Sequence, residues 1–104
     1  MSVYTVGVWT VKPGREEEFI EAWRAFAEQT TERFSVGSAA LLRDRDEPSR
    51  FISAGPWPSL DVIEAWRESE FFRDSIGRLR ELVDDVQPRT MDPVATIGNG
   101  LMGG

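Results

Sequence analysis

The fold of this chain follows from its residues 3–11, VYTVGVWTV. The stretch is rich in Val, Thr and aromatic residues, which favour β-strands. Its apolar side chains fall on both alternating faces, with Val3 and Trp9 on one face and Val6 and Val8 on the other. This pattern is typical of a central strand that is covered on both sides. We therefore predict a first strand over residues 3–11.

A turn and an amphipathic helix follow this strand. Residues 12–14, Lys-Pro-Gly, are typical of a turn. The three glutamates at 16–18 suit the N-terminal end of a helix, which carries a partial positive charge. Beyond them, apolar side chains recur at i, i+4, i+7 and i+8, at Phe19, Trp23, Phe26 and Ala27. The pattern predicts a helix that starts near Gly14 and ends near Arg33.

The rest of the chain contains a hairpin, a second helical region and one more strand. Residues 36–42 and 51–57 are short β-type runs on either side of a wholly polar segment, which predicts a hairpin. Ser59 is a candidate N-cap for a helix that reaches about Arg67, and Ser69 is a second cap. We expect the helix either to continue or to kink there, and then to run until Gln87-Pro88 stops it, along an apolar stripe formed by Phe72, Ile76, Leu79 and Val83. Residues 93–97 are the last strand candidate, and the Gly-rich residues 99–104 are expected to form a flexible tail.

The order of elements is therefore β, α, β, β, α, β in a single domain over residues 1–98. This order predicts an α+β, ferredoxin-like fold, in which two helices cover one face of an antiparallel four-stranded sheet. The other face is left bare, although the first strand is apolar on both sides. Closed twofold dimers are the commonest oligomers, so we expect a homodimer in which a second copy covers the bare face.

The composition excludes several classes of function. The chain has no Cys and no His, which removes disulfides, thiolate nucleophiles, the commonest metal ligand and the usual haem ligand. We therefore expect no cofactor and no bound metal. The net charge of −6 argues against a nucleic-acid partner. The N-terminus lacks the pattern of a signal peptide and no segment is apolar enough to span a membrane, so we expect a cytoplasmic protein without a membrane partner.

Several motifs resemble those of a known family. Trp57-Pro58-Ser59, followed by Trp66 and then by Ser69-x-x-Phe72, is similar to the pattern of the antibiotic biosynthesis monooxygenase superfamily. The likeness extends over roughly residues 3–97 and includes Lys12-Pro13-Gly14 with Glu17 and Phe19, Gly37, Leu42-Arg43-Asp44 and Phe51. It implies a dimeric α/β barrel. The superfamily contains quinol-forming oxygenases, haem-degrading enzymes and proteins of unknown activity, so the resemblance leaves the reaction open.

Two branches of that superfamily are tested by single residues. The haem-degrading enzymes place a ligating His where this chain has Ile76 and an Asn where it has Gly7. The oxygenases that form quinones have an Asn four positions before the Trp at 57 and a Tyr six positions after it, where this chain has Ser53 and Ile63. The resemblance therefore carries over to Trp57 and Trp66 and assigns no catalytic acid or base.

We identify five candidate substrate-binding residues. Trp57 and Trp66 are expected to stack on a flat aromatic ligand, with an indole N–H free for a carbonyl, or else to be core residues. Tyr4, the only phenol, is a candidate proton relay or a half-buried strand residue with its hydroxyl in water. Gly7 and Ser53 leave space for a ligand or admit larger neighbours such as Trp23 or Phe72.

Charged residues offer fewer candidates for the site. Arg73, Arg78 and Arg80 either bind an anion at a pocket mouth or are solvated beside nearby acids.

Two functions fit these observations. The first is a cofactor-independent monooxygenase that oxidises a small aromatic, polyketide-like quinol or anthrone with O₂; the protein would orient, desolvate and deprotonate its substrate. The second is a non-enzymatic dimer that binds a hydrophobic small molecule. Haem degradation is disfavoured by Ile76 and by the absence of His.

Overall fold

The computed structural model describes residues 2–98. Seven elements follow one another along the chain: β1 (Val3–Val11), α1 (Glu16–Phe34), β2 (Ala40–Arg43), β3 (Arg50–Trp57), α2 (Leu60–Glu68), α3 (Glu70–Arg80) and β4 (Val83–Met91). No helix of the described part of the chain is long and apolar enough to cross a membrane. The predicted tail, residues 99–104, lies outside the described residues.

The four strands form one antiparallel sheet in the order β2-β3-β1-β4. β1 lies in the interior of the sheet, with Gly7 opposite Ser53 of β3 and opposite Pro88 of β4. The predicted first strand and the ferredoxin-like fold are thereby confirmed. The second helical region is divided at Ser69 into α2 and α3, so residues 2–98 contain three helices where the simplest form of the fold has two.

Local sequence signals fix the ends of the helices. Glu16, Glu17 and Glu18 occupy the first turn of α1, where carboxylates offset the positive helix end. The oxygen of Ser59 accepts a hydrogen bond from the Val62 amide, and that of Ser69 accepts one from the Phe72 amide. Both predicted caps are therefore confirmed.

The C-terminal third of the chain differs from the prediction. α3 ends at Arg80, and residues 83–91, expected to be helix through Gln87-Pro88, form strand β4; residues 93–97 are not a strand. The amide of Leu82 bonds the Leu79 carbonyl, and Leu82 and Val83 then enter the core, which turns the chain back beside β1. Pro88 is tolerated because β4 is at the edge of the sheet.

The hairpin prediction was closer but began the first strand too early. β2 starts at Ala40 rather than at Val36, and Val36 is instead a buried residue of the core. The approach of residues 38–39 to the sheet depends on Gly55 of β3. A Cβ on Gly55 would lie 2.7 Å from the Ser38 carbonyl oxygen, so only glycine admits this segment.

The two faces of the sheet have different environments. The odd-numbered side chains of β1 and β3 point to the helices and form the core with Phe19, Phe26, Trp66 and Leu79. The even-numbered side chains point away from the helices. Three apolar residues on this uncovered face are substantially exposed, namely Leu42 at 56%, Ile52 at 40% and Met91 at 47%.

Candidate functional site

A partly open cavity lies between the helix-facing side of the sheet and α1. Its volume is about 70 Å³, and its wall combines aromatic rings with hydroxyl groups. The lining side chains include Trp23, Phe26, Trp57 and Trp66 together with Thr5, Thr30, Thr31, Ser38 and Ser53. A mostly apolar cavity with a few polar groups is the usual form of a small-molecule site.

Trp57 and Trp66 form the aromatic corner of this first cavity. Trp57 ends β3 and Trp66 lies on the following helix, and their ring centroids are 4.6 Å apart at an interplanar angle of 40°. Trp66 also stacks on Phe26 at 5.7 Å, with an angle of 19°. Both indoles are at least nine-tenths buried, so each is part of the core and part of the cavity wall at once.

The indole N–H groups of this pair are not free, contrary to the sequence-based expectation. Nε1 of Trp57 donates to Oγ1 of Thr5 at 2.9 Å, and Nε1 of Trp66 donates to Oγ1 of Thr30 at 3.2 Å. A buried indole N–H needs an acceptor, and these hydroxyls supply it. A ligand in the cavity would therefore meet hydroxyl groups rather than indole N–H groups.

A second cavity lies on the other side of the wall that contains Thr5, Ser53 and Trp66. Its volume is about 90 Å³, and these three residues line both cavities. Its remaining wall comes from β1, β4, α2 and α3, namely Val6, Gly7, Trp9, Arg67, Phe72, Ile76, Arg80, Val86 and Pro88. The two spaces are thus neighbours separated by a few side chains.

Ser53 belongs to this dividing wall, and Gly7 lies beside it in the lining of the second cavity. The Ser53 hydroxyl accepts a hydrogen bond of 2.9 Å from Nε1 of Trp9. A Cβ on Gly7 would lie 2.8 Å from both Ser53 Oγ and Trp9 Nε1, so a side chain at position 7 would collide with this bond. The large neighbour that Gly7 admits is therefore Trp9, rather than the expected Trp23 or Phe72.

Tyr4 is not brought together with the other four predicted residues. The side chain of Tyr4 points to the uncovered face of the sheet, opposite to those of Val3 and Thr5. Its neighbours across the strands are Pro56 and Met91. Its phenol lines neither cavity. The structure thus groups Trp57, Trp66, Ser53 and Gly7 and separates Tyr4 from them.

The three arginines that the sequence analysis considered as anion-binding candidates lie in different parts of the structure. Arg80 lines the second cavity, whereas Arg78 lines a groove between α1 and α3, and Arg73 donates to the Glu68 carbonyl at 3.4 Å. Arg67, which the sequence did not single out, also lines the second cavity and donates to Thr90 Oγ1 at 3.1 Å. Two cationic groups therefore border this cavity.

Sequence reasoning also missed Thr5 and Thr30. Thr5 shares the alternation of Val3 and Trp9 on β1, and Thr30 lies four residues after Phe26 on the buried face of α1. At both positions a polar residue interrupts a run of apolar side chains on one face, and this pattern could have identified them. Arg67 has no comparable signal, because an arginine in the last turn of a helix is ordinary.

The carboxyl groups with shifted pKa values lie away from both cavities, around the start of α1 and the β2–β3 loop. The Ser49 hydroxyl donates to Glu16 at 2.7 Å and lowers the pKa of that carboxyl. Backbone amides of Asp46 and Glu47 donate to Asp44 and lower the pKa of its carboxyl. Within residues 2–98, no group of three or more His, Cys, Asp or Glu side chains is placed to hold a metal ion.

The sheet, its helical layer and the cavities between them define a ferredoxin-like domain. A family model described as antibiotic biosynthesis monooxygenase matches residues 2–78. The chain belongs to the antibiotic biosynthesis monooxygenase family. No curated protein matches the chain closely enough to count as a relative.

Solved structures share this fold. SnoaB, a cofactor-independent oxygenase from Streptomyces nogalater, superposes with a TM-score of 0.84 at 21% identity, over 92% of this chain and 96% of that chain. A conserved protein from Methanosarcina mazei Go1 gives 0.78 at 16% identity, over 86% and 90% of the two chains. An antibiotic biosynthesis monooxygenase gives 0.76 at 18% identity, over 89% and 99%. At these identities the likeness shows the fold alone.

Proposed function

We propose that this member of the family is a cofactor-independent monooxygenase that oxidises a small aromatic quinol or anthrone with O₂. The observation that carries the proposal is the pair of cavities, with Trp57 and Trp66 on one side and Arg67 and Arg80 on the other. A further support is SnoaB, which has the same fold and is itself a cofactor-independent oxygenase.

The chemistry places few demands on the protein. An anthrone that loses a proton becomes an electron-rich anion that can pass an electron to O₂; overall, the CH₂ group and O₂ give a ring carbonyl and water. The protein then has to hold the ring, exclude water and favour the anion. Aromatic walls serve the first two tasks, and the guanidinium groups bordering the second cavity serve the third.

The size of the cavities bears on this proposal. Small-molecule sites commonly enclose about 300–1,000 Å³. The first cavity at about 70 Å³ and the second at about 90 Å³ are each too small for a tricyclic ligand. Because Thr5, Ser53 and Trp66 line both, a modest movement of these side chains would join the two cavities into one site. We therefore propose that the ligand spans both.

We further propose that the active form is a homodimer joined through the uncovered sheet face. Leu42, Ile52 and Met91 are exposed on this face, next to Val6 and Val8 of the central strand. An apolar surface of this kind is typical of an interface. A second copy would cover the face and place Tyr4 at the contact between subunits.

A non-enzymatic binding protein for a hydrophobic small molecule is the second candidate. It is favoured by one observation: among the described residues, no Asp or Glu lines either cavity, so no carboxylate base adjoins the bound ligand. Such a protein would hold the aromatic molecule without turning it over.

Oxygen uptake distinguishes the two functions. Purified protein is mixed with anthrone in air-saturated buffer, and O₂ consumption is compared with the uncatalysed rate, while tryptophan fluorescence shows whether anthrone binds. Uptake above the uncatalysed rate, with one O₂ consumed for each anthraquinone formed, supports the monooxygenase. Binding without any acceleration, for anthrone and for a panel of hydroquinones, supports the binding protein.

A further inference from the structure

Three tryptophans share a single mode of hydrogen bonding in this protein. Each indole N–H donates to an aliphatic hydroxyl: Trp9 to Ser53, Trp57 to Thr5 and Trp66 to Thr30. All three hydroxyl-bearing residues line the first cavity, and two of them, Thr5 and Ser53, line the second as well. The shared wall between the cavities thus carries hydroxyls that each already accept one hydrogen bond.

The pairs on the sheet follow a common geometry. In the β1–β3 register Trp9 is opposite Phe51 and reaches diagonally to Ser53, which is opposite Gly7. On the other strand, Trp57 is opposite Val3 and reaches diagonally to Thr5, which is opposite Gly55. Diagonal neighbours in an antiparallel pair are within reach of a long aromatic side chain. Each hydroxyl therefore faces a glycine across the strands, beside an indole that fixes it.

The hydrogen-bond capacity of these hydroxyls determines what remains for a ligand. A Ser or Thr hydroxyl has one proton to donate and two lone pairs to accept with. The indole N–H takes one lone pair of Thr5 and one of Ser53. Within residues 2–98, neither hydroxyl donates its own proton to a protein acceptor at hydrogen-bonding distance. Each therefore has an O–H group at the cavity wall that is still available to donate a hydrogen bond.

A hydroxyl with an available O–H favours a ligand that has a hydrogen-bond acceptor. A buried O–H without a partner costs free energy, whereas a hydroxyl with one lone pair unpaired is still satisfied as an acceptor. Accepting from an indole also polarises the hydroxyl and strengthens its own donation. No carboxylate among the described residues lines either cavity to attract an amine or another cation. The wall is thus matched to an oxygen acceptor.

We propose that Thr5 and Ser53 are specificity-determining residues that donate hydrogen bonds to a ring carbonyl or phenolate oxygen of the ligand. Trp57 and Trp9 act as positioning residues, because the hydrogen bonds from their N–H groups hold these hydroxyls in place and leave the O–H for the ligand. This inference rests on the proposed function, whose site and substrate class it sharpens. It separates planar molecules with ring oxygens from hydrocarbons and amines of the same shape.

The test uses three flat probes of nearly equal size: 1,4-naphthoquinone, naphthalene and 1-naphthylamine. The quinone offers only acceptor oxygens, the hydrocarbon offers none, and the amine offers a donor. The chain has no Cys, so the quinone meets no thiol to alkylate. The quinone is already oxidised, and its dissociation constant can be measured by calorimetry without turnover. The result is therefore independent of whether the protein is a monooxygenase or a binding protein.

Wild-type protein should bind the quinone more tightly than naphthalene or the amine. Thr5→Val removes the hydroxyl at nearly constant shape and should weaken quinone binding by about threefold to tenfold, leaving naphthalene binding unchanged. Thr5→Ser keeps the hydroxyl and should keep the preference. Ser53→Ala should act like Thr5→Val.

A second variant separates ligand contact from core stability. Thr5→Val also leaves the Trp57 N–H without an acceptor, so the melting temperature should fall; adding Trp57→Phe removes that N–H and should recover part of it. The quinone preference should stay reduced in the double variant. Equal affinity of wild type for the three probes, no binding of the quinone, or equal weakening of all probes in Thr5→Val would each overturn the inference.

Discussion

The indole rings of Trp57 and Trp66 lie with their centroids 4.6 Å apart, although one ends strand β3 and the other lies on helix α2. The contact joins the sheet to α2 and forms a corner of the first cavity. The same two side chains therefore stabilise the fold and shape the site. Substitutions at this corner should affect both properties, and controls are needed to separate them.

Trp57→Phe should weaken the binding of flat aromatic ligands by about tenfold, because the smaller ring loses contact area and releases the Thr5 hydroxyl. Fluorescence or calorimetric titration with 1,4-naphthoquinone gives the dissociation constant. Phe19→Leu is the matched control: Phe19 is fully buried but lines neither cavity, so it should lower stability and leave affinity unchanged. Unchanged affinity in a folded Trp57→Phe protein would show that this indole is core alone.

Gly7→Ala should destabilise the protein by about 1–3 kcal/mol, because the added methyl would press on the Trp9–Ser53 hydrogen bond. Urea unfolding followed by tryptophan fluorescence measures the change in the free energy of unfolding. Gly37→Ala is the control, since a Cβ there meets no atom within 4 Å. A Gly7→Ala protein as stable as the Gly37→Ala protein would contradict the close approach at position 7.

Features of this site that depend on residues close together in the sequence could be predicted. Features that depend on residues far apart could not. The caps at Ser59 and Ser69 and the acidic first turn of α1 are local, and the sequence predicted them. The tryptophans were identified, but their hydroxyl partners are 36, 44 and 52 residues away along the chain. A single sequence does not contain such pairings.

The error at β4 has a similar cause. Residues 83–91 include two Asp, Gln, Arg and Pro, a composition that argues against a strand by propensity. Pairing with β1 at the sheet edge overrides it, because one side of an edge strand needs no ladder hydrogen bonds and its outward side chains remain in water. Of the apolar residues that suggested a continuing helix, Leu79 lies in the last turn of α3, whereas Val83 begins the strand.

The uncovered sheet face should make the protein a dimer at micromolar concentration, as measured by light scattering after size exclusion. Ile52→Arg places a charge on that face and should shift the protein to monomer. Leu60→Arg is the control, because Leu60 is also exposed, at 53%, but lies at the start of α2, away from the sheet face. A wild-type monomer, or a dimer that survives Ile52→Arg, would remove the basis for this interface.

Acid should remove a specific contribution to stability near the start of α1. The hydrogen bond from Ser49 lowers the pKa of Glu16 below the ordinary value of 4.5, so this stabilisation is present above that pH and is lost as pH falls through the lower folded pKa. Ser49→Ala should therefore lower the urea midpoint more at pH 7 than at pH 3. Equal lowering at both values would show that the hydroxyl does not act through the Glu16 carboxylate.

Catalysis should depend on the ionisation of the substrate and on the two arginines that border the second cavity. Because no carboxylate among the described residues lines either cavity, the rate of oxygen uptake should rise with pH along the acidity of the anthrone or phenol itself. Arg80→Gln should reduce the rate by about tenfold and move the rise to higher pH, since the anion loses a charge-assisted partner. Arg78→Gln is the control, because Arg78 lines the groove between α1 and α3 instead.

Trp57→Ala should abolish turnover, whereas Tyr4→Phe should leave it unchanged, because Tyr4 lies on the opposite face of the sheet. Loss of activity in Tyr4→Phe would place the reaction at the subunit contact and not between the sheet and the helices.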